Sequence, residues 1–266
     1  MPNGTDIAYL YDGSVEGLMT CVFESFEKKE MPAAILSPDQ DQFVLYDTKE
    51  IVTDTEKARR VFAGTQKRLG DEAAYLIRMT FLSDREDRAL IILRFLHYAF
   101  AEGPRAVSRL SHPLVGLLHQ AAKTTSNEEH AFNEFLRFSE FNGVLVSVIE
   151  PKCFILPLIA DHFADRFPSE RFFIYDRTHR YALLYGDGRR EFTWLDEFEM
   201  PEADETEQRF RALWQSFYDT IAIEGRNNPR CRMTHMPKRF WPNMTEFQRE
   251  KALSEKKQAA SLPDVH

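Results

Sequence analysis

Cationic and aromatic side chains alternate near the end of the chain, in the acid-free segment from Arg226 to Trp241. Arginine and lysine can contact phosphates, and an exposed aromatic ring offers a face on which a base can stack. The residues with this chemistry are Arg226, Arg230, Arg232, His235, Lys238, Arg239 and Trp241. We predict that they bind DNA. The alternative is that the segment packs across the domain with Met236 and Trp241 as core anchors. In either case Pro229 and Pro237 forbid a continuous helix, so the segment is expected to be extended.

A second group of polar residues has types suited to catalysis. Asp161 and Asp165 share one face of a predicted helix, and Asp176 ends the next predicted strand. Carboxylates that meet in the fold can hold metal ions, and a histidine beside them can act as a general base. The candidate catalytic set is Asp161, His162, Asp165, Asp176 and Arg137. The competing interpretation is a helix with surface acids and a structural histidine.

The spacing of the cysteines and the absence of cofactor-binding motifs known from DNA-repair enzymes argue against a resident cofactor. Cys21, Cys153 and Cys231 lie far apart and form no C-x-x-C pair, so neither an iron–sulfur cluster nor a cysteine zinc site is indicated. The His-x-Glu and paired-cysteine segments of zinc deaminases are missing. A glycosylase-type His-Pro-Ser segment is missing too, since Leu114 follows His112 and Pro113. We therefore predict no cofactor and no metal.

The first residues form a weak phosphate-binding pattern. A short strand near Tyr9, a turn at Gly13 and a helix from Val15 would present backbone N–H groups, but one glycine without a lysine is a poor match to a phosphate loop. Ordinary capping of the helix by Ser14 is the favoured interpretation.

Hydrophobic periodicity predicts the remaining elements. Helices are expected over residues 15–29, 54–69, 71–82, 85–101, 127–141, 154–167 and 205–224. Ser126 and Glu129 have the spacing of a capping box that opens the helix over 127–141. Strands are expected over 144–149, 172–175, 181–185 and 189–194, the last three as a meander joined at 177–180 and 186–188. The fold class is α+β, mostly helical with a small, largely antiparallel sheet in the C-terminal half. We expect one compact domain over 1–258, helical to about 125 and α+β over about 126–246, and a flexible tail over 259–266.

Charge and length restrict the functional classes. The chain has 266 residues and a formal net charge of −8, which argues against a protein that coats nucleic acid through its overall field. Seven acids without a base lie between Leu195 and Glu207. No apolar run approaches the roughly 20 residues of a membrane helix. We expect a cytoplasmic protein without membrane contact.

Several segments together resemble a bacterial family of unknown function whose members are described as DNA-metabolism or DNA-repair proteins. They are Tyr9-Leu-Tyr-Asp-Gly-Ser, His130-Ala-Phe-Asn-Glu-Phe-Leu-Arg-Phe, the segment from Leu156 to Phe167, Phe173-Ile-Tyr-Asp, Arg226-Asn-Asn-Pro-Arg and His235-Met-Pro-Lys-Arg-Phe-Trp. The resemblance covers about Tyr9 to Glu246. It implies a DNA context and a radical-SAM protein as a partner encoded nearby. Some relatives are joined to a uracil-DNA-glycosylase-like domain; we expect none of its activity here, and the family offers no assigned catalytic residues to carry over.

These observations lead to one expected function and two alternatives. We expect a DNA-binding accessory protein of DNA repair or DNA metabolism that works with a radical-SAM partner. The first alternative is an enzyme acting directly on DNA, a nuclease or base-modifying activity. The second is an interaction module without DNA contact, in which the acidic segment 195–207 docks a basic partner.

Overall fold

A break in the pattern of contacts divides the chain into two units, Met1–Asn127 and Glu128–His266. The structure, a computed structural model, describes residues 3–4, 6–38, 45–200, 207–214, 233 and 236–244. The expected single domain over 1–258 stays a prediction, as does the flexible tail, which lies outside the described residues.

The first unit contains a three-stranded parallel sheet with the strand order β4–β2–β5. These strands are β2 (Ile7–Leu10), β4 (Ala34–Leu36) and β5 (Asp47–Glu50), and a separate parallel pair joins β1 (Asn3–Gly4) to β3 (Glu30–Met31). The sequence predicted only β2 and a helical region around it, which was wrong. Strands of two to four residues, one of them the polar β5, are too short to show an alternating pattern.

Helices pack beside this sheet in the order predicted from periodicity. They are α1 (Val15–Lys28), α2 (Thr55–Leu69), α3 (Asp71–Phe81), α4 (Arg88–Glu102) and a 3₁₀ turn at Pro104–Ala106. Gly70 separates α2 from α3 at φ +83°, a conformation that glycine adopts without strain. Ile92, Phe95 and Leu96 of α4 are fully buried, as their helical spacing indicated.

The next helix, α5 (Pro113–Phe135), contradicts a predicted boundary. A capping box at Ser126 was expected to open a helix over 127–141, but Ser126 lies inside α5. The helix begins at Pro113, a residue suited to a first helical position. It stops before β6 (Ser139–Phe141), which the expected helix overlapped.

The second unit is built on a five-stranded sheet with the order β10–β9–β8–β7–β6. The strands are β7 (Val144–Ile149), β8 (Arg171–Asp176), β9 (Tyr181–Gly186) and β10 (Arg189–Trp194), and α6 (Leu156–Arg166) connects β7 to β8. Strands β7 and β8 are parallel, and the other neighbouring pairs are antiparallel. The α+β class and the β8–β9–β10 meander are confirmed. The sheet is mixed, however, with one parallel pair, whereas a largely antiparallel sheet was expected.

One face of this sheet and α6 form the main core of the second unit. Ile174 and Leu183 on the sheet pack with Ile159 and Phe163 of the helix, and all are at most 2% exposed. The opposite face holds a smaller cluster around Tyr175, whose hydroxyl donates to the carbonyl oxygens of Leu195 and Asp196. This arrangement places the carboxyl ends of β7 and β8 side by side.

Candidate functional site

The basic segment near the chain end is only partly described. Arg226, Arg230, Arg232 and His235 lie outside the described residues. The described part contains a 3₁₀ helix, Lys238–Asn243, anchored by Phe240 and Met244, which are 5% and 1% exposed.

Two of the three described DNA-binding candidates in this segment make structural contacts. Trp241 is partly buried against the core, and its Nε1 donates to the carbonyl oxygen of Met236 at 3.0 Å. Arg239 donates to Glu128 at 2.6 Å. Lys238 is exposed, with Nζ 5.7 Å from the centre of the Trp241 ring. In the described part of the segment, Lys238 is therefore the only candidate whose side chain is free to contact a phosphate.

Glu128 organises the loop after β7, although its sequence context gave no sign of this. Its side chain is 3% exposed, and it accepts hydrogen bonds from the backbone N–H groups of Lys152 at 3.2 Å and Cys153 at 2.6 Å. The Arg239 guanidinium supplies the compensating charge that a buried carboxylate requires. Arg239 therefore helps to hold the loop that follows β7.

The candidate catalytic residues are not brought together as one site. Asp161 is exposed and pairs with Arg190 of β10, while His162 and Asp165 are exposed on α6. Arg137 Nη1 donates to the carbonyl oxygens of Glu134 and Leu136. No group of three metal-ligating side chains occurs in the described parts of the chain.

Asp176 instead forms a pair with His179, a residue that the sequence analysis missed. Asp176 is fully buried at the carboxyl end of β8, and His179 Nδ1 lies 2.7 Å from its Oδ2. The His179 backbone N–H donates to Oδ1 at 3.1 Å, so the carboxylate also fixes the turn between β8 and β9. An Asp-x-x-His spacing directly after a strand was the available signal. In open sheets, ligands bind outside the carboxyl ends of parallel strands, which is where this pair lies.

Four aromatic side chains continue from this pair along the sheet, and we call them the aromatic platform: Phe154, Tyr181, Phe192 and Trp194. Phe154 meets the His179 ring edge-on at 5.1 Å and the Tyr181 ring at 5.2 Å. Tyr181 in turn stacks on Phe192 at 5.7 Å and contacts Trp194 at 4.6 Å. Trp194 is 71% exposed and Phe192 is 36% exposed.

The register of β10 explains why these rings share a face. Phe192 and Trp194 pair with Leu183 and Tyr181 of β9, and side chains two residues apart on a strand point to the same side. Arg190 lies on that face as well. The alternation of Arg190, Phe192 and Trp194 was visible in the sequence. The sequence did not show that β10 is an edge strand of the sheet.

Two further arginines are exposed and have no acidic partner within the described part of the chain: Arg180 in the turn before β9 and Arg189 at the start of β10. Arg180 directly precedes Tyr181 of the platform, whereas the Arg189 side chain points to the opposite face of β10. Arg177 pairs with Glu150 across the ends of β7 and β8. The acidic residues Asp196 and Glu197 follow Trp194 after one intervening residue, Leu195. The local charge is therefore mixed.

The weak phosphate pattern at α1 has a structural explanation. Ser14 caps the helix by accepting from the Gly17 N–H at 2.9 Å, as expected. The Asp12 carboxylate accepts from the Ser14 N–H at 2.9 Å and from the Thr53 hydroxyl at 2.7 Å. These bonds lower the pKa of Asp12, against the opposing effect of burial. A carboxylate thus already occupies the position near the helix start where a phosphate would bind.

Comparison with protein families gives one match, over residues 86–246 and therefore more than half of the chain, to a family described as a domain of unknown function, DUF4130. The chain belongs to this family. The DUF4130 match includes Glu128, the Asp176–His179 pair and the aromatic platform, whereas α1 and α2 lie before it. No curated protein matches the chain. None of the helices within the described ranges has the length and apolar character needed to cross a membrane.

Proposed function

We propose that the protein is a DNA-binding accessory protein of DNA metabolism or repair that holds unpaired DNA on its aromatic platform. The observation that carries the proposal is the alternation of Arg190, Phe192 and Trp194 on one face of an outer strand, continued by Tyr181 on β9. Bases of a single strand expose their ring faces, and each base stacked on an aromatic side chain contributes about 1–3 kcal/mol. Paired bases in a duplex do not offer those faces.

The charges near the platform favour stacking over phosphate contact as the main source of affinity. Among the described residues beside the platform, Arg180 is the cation available to a phosphate, because Arg190 already pairs with Asp161. One phosphate contact on a single strand gives a slope of about −0.7 in log affinity against log salt. The acids after Trp194 reduce it further. We therefore expect binding that persists as salt is raised.

This proposal moves the main contact away from the segment predicted from the sequence. Trp241 and Arg239 serve packing and loop anchoring, and Lys238 is left as a peripheral phosphate contact. The partnership with a radical-SAM protein rests on the family resemblance alone. Co-expression followed by affinity pull-down and size-exclusion chromatography tests this partnership. Separate elution of the two proteins at micromolar concentration would refute it.

A titration of a fluorescein-labelled 12-nucleotide single strand, followed by anisotropy, tests the proposal. Trp194→Ala should weaken binding by roughly 5- to 150-fold, the loss of one stacked base. Trp241→Ala is the matched control, because it should lower stability while leaving the affinity of the folded protein within about twofold. Arg180→Gln should reduce the salt slope by about 0.7, the contribution of one phosphate contact. Equal affinity of wild type and Trp194→Ala, or equal affinity for the duplex, would refute single-strand stacking.

A second candidate function is catalysis on the bound nucleic acid, favoured by the Asp176–His179 pair. A buried carboxylate that orients a histidine is the arrangement found in enzymes in which the histidine takes a proton from an attacking group. His179 borders Phe154 and hence the platform. Incubation of labelled single strands with wild type and His179→Gln, analysed by chromatography, tests this function. No product with wild type, or the same product with both proteins, would exclude it.

A further inference from the structure

A groove on the first unit has the features of a protein-docking surface. It lies between α1 and α2 beside the end of α4 and has a volume of about 480 Å³. Its walls are aromatic: Phe26 is 38% exposed, stacks on His97 at 3.7 Å and meets Phe100 edge-on at 5.7 Å. None of these residues belongs to the platform on the second unit, so the groove is unrelated to the function proposed above.

The glycine at the floor of this groove makes room for a side chain from outside. Gly64 is in the middle of α2, and a Cβ added there would meet only Phe100 Cζ, at 3.8 Å. Glycine in a helix interior is destabilising relative to alanine, and no turn or close backbone contact requires it at this position. The missing side chain leaves an apolar notch between the two helices.

Two arginines flank this notch on the same face of α2. Arg60 lies over the Phe23 ring at 4.9 Å, and Arg68 lies over the Phe100 ring at 5.2 Å and donates to the Phe100 carbonyl oxygen at 2.9 Å. They are eight residues apart, which corresponds to roughly 12 Å along the helix. Stacking on a ring orders a guanidinium and leaves N–H groups to bind a carboxylate.

The pairing of the other charges distinguishes these two arginines from their neighbours. Lys57 pairs with Glu24 and Arg59 pairs with Glu56, whereas Arg60 and Arg68 have no ion pair among the described residues. Glu27 also lines the groove but lies beside Lys28, at 3.8 Å. The groove therefore offers an apolar centre with an uncompensated cation at each end.

We propose that this groove binds an acidic amphipathic helix of a partner protein. A large apolar residue of that helix lies over Gly64, and carboxylates seven or eight positions apart contact Arg60 and Arg68. Helices bind in apolar grooves through residues at such spacings, and seven to eight residues of a helix span roughly 10–12 Å. A small molecule fits less well, because the groove is open along its length and ligand sites usually bury most of the ligand.

The test uses labelled 16-residue helical peptides and fluorescence anisotropy. One panel carries Glu at positions 4 and 12 with Leu, Phe or Trp at position 8, and a second panel carries Lys in place of Glu. We expect at least one Glu peptide to bind, with a dissociation constant on the order of 10–100 μM, and each Lys peptide to bind roughly tenfold more weakly.

Variants of the protein complete the test. Gly64→Met should fill the notch and weaken binding about tenfold without harming the helix, and Arg60→Gln with Arg68→Gln should weaken it similarly. Arg59→Gln is the matched control, because Arg59 is exposed on the same helix and outside the groove. The proposal is overturned if no Glu peptide binds at about 1 mM, if Lys peptides bind equally, or if the Arg59 variant is equally impaired. Binding of a single-stranded oligonucleotide with the same dependence on Gly64, Arg60 and Arg68 would reassign the groove to nucleic acid.

Discussion

Replacing Glu128 tests whether one buried carboxylate fixes the loop at the carboxyl end of β7. Glu128→Ala would leave the buried Cys153 N–H without its acceptor, which costs about 1–3 kcal/mol. Arg239 would lose its partner, and breaking a buried ion pair costs about 3–5 kcal/mol in total. Because the Arg239 side chain is 42% exposed, it can turn toward water. We therefore expect a loss of about 3 kcal/mol, at the low end of that range.

Removing the other partner should cost at least as much. Arg239→Ala leaves a carboxylate that is 3% exposed with only its two backbone donors, so we expect about 3–5 kcal/mol. The double variant removes both charges, and its loss should be smaller than the sum by about 1–3 kcal/mol.

Tryptophan fluorescence during urea unfolding measures these losses of stability, because it reports on the second structural unit, which contains Glu128 and Arg239. The chain has 3 tryptophans, Trp194, Trp214 and Trp241, and all belong to the second unit. With a slope of about 2 kcal/mol per molar urea, a loss of 3 kcal/mol lowers the midpoint by about 1.5 M. Glu134→Ala, an exposed acid on the same helix, should change the free energy of unfolding by less than about 0.5 kcal/mol. Equal midpoints for the Glu128 and Glu134 variants would refute the structural role of Glu128.

Three further predictions concern the first unit. Gly17→Ala should destabilise it by about 2 kcal/mol or more, because the added Cβ would lie 2.3 Å from Asp12 Oδ1. Gly64→Ala should stabilise it by up to about 1 kcal/mol, because alanine is favoured over glycine inside a helix and its Cβ would meet only Phe100 Cζ, at 3.8 Å. Urea unfolding followed by circular dichroism should show midpoint shifts of opposite sign for the two variants. Burial lowers the pKa of His97 to about 4, below about 6.5 in the unfolded chain, so the contribution of the neutral ring to stability is intact above pH 6.5. As the pH falls toward 4, the shift alone would lower the free energy of unfolding by about 3 kcal/mol, and solvent screening of the half-buried ring reduces this to roughly 2 kcal/mol. A His97 proton resonance that titrates near 6.5 would contradict this. Burial also raises the pKa of the fully buried Cys21 thiol to about 12, so iodoacetamide at pH 8 should not modify Cys21 until the protein unfolds, as mass spectrometry of its peptide can check.

Local signals predicted the parts of the fold that local interactions decide. Ser14 caps α1, Gly70 separates two helices, and the turns at 177–180 and 187–188 join the meander, with Asp187 and Gly188 at positive φ. Each of these depends on the chemistry of one to four neighbouring residues. Ser126 failed because its capping pattern lies inside a longer helix whose true start is at Pro113.

Long-range pairing escaped the sequence analysis for a different reason. The order of strand β7, helix α6 and strand β8 is the pattern that favours a parallel pair, but the sequence analysis assigned no partner strand to β7. Glu128 and His179 could not be singled out because an acid on a helix and a histidine in a turn are common. Only the fold shows that Glu128 accepts hydrogen bonds from the backbone N–H groups of Lys152 and Cys153. Likewise, only the fold shows that His179 pairs with the fully buried Asp176.

The mixed order of the second sheet has a consequence for how this unit folds. Strands β8, β9 and β10 are joined by turns of four and two residues, so their contacts close short loops and can form within microseconds. The parallel pairing of β7 with β8 must wait until the whole of α6 has crossed over, which closes a much longer loop at a higher entropic cost. We expect the meander to form first and β7, together with its neighbour β6, to be added last. Before that addition, the inner edge of β8 is exposed and can pair with another copy of the chain, so refolding at high protein concentration should be most prone to aggregation at this stage.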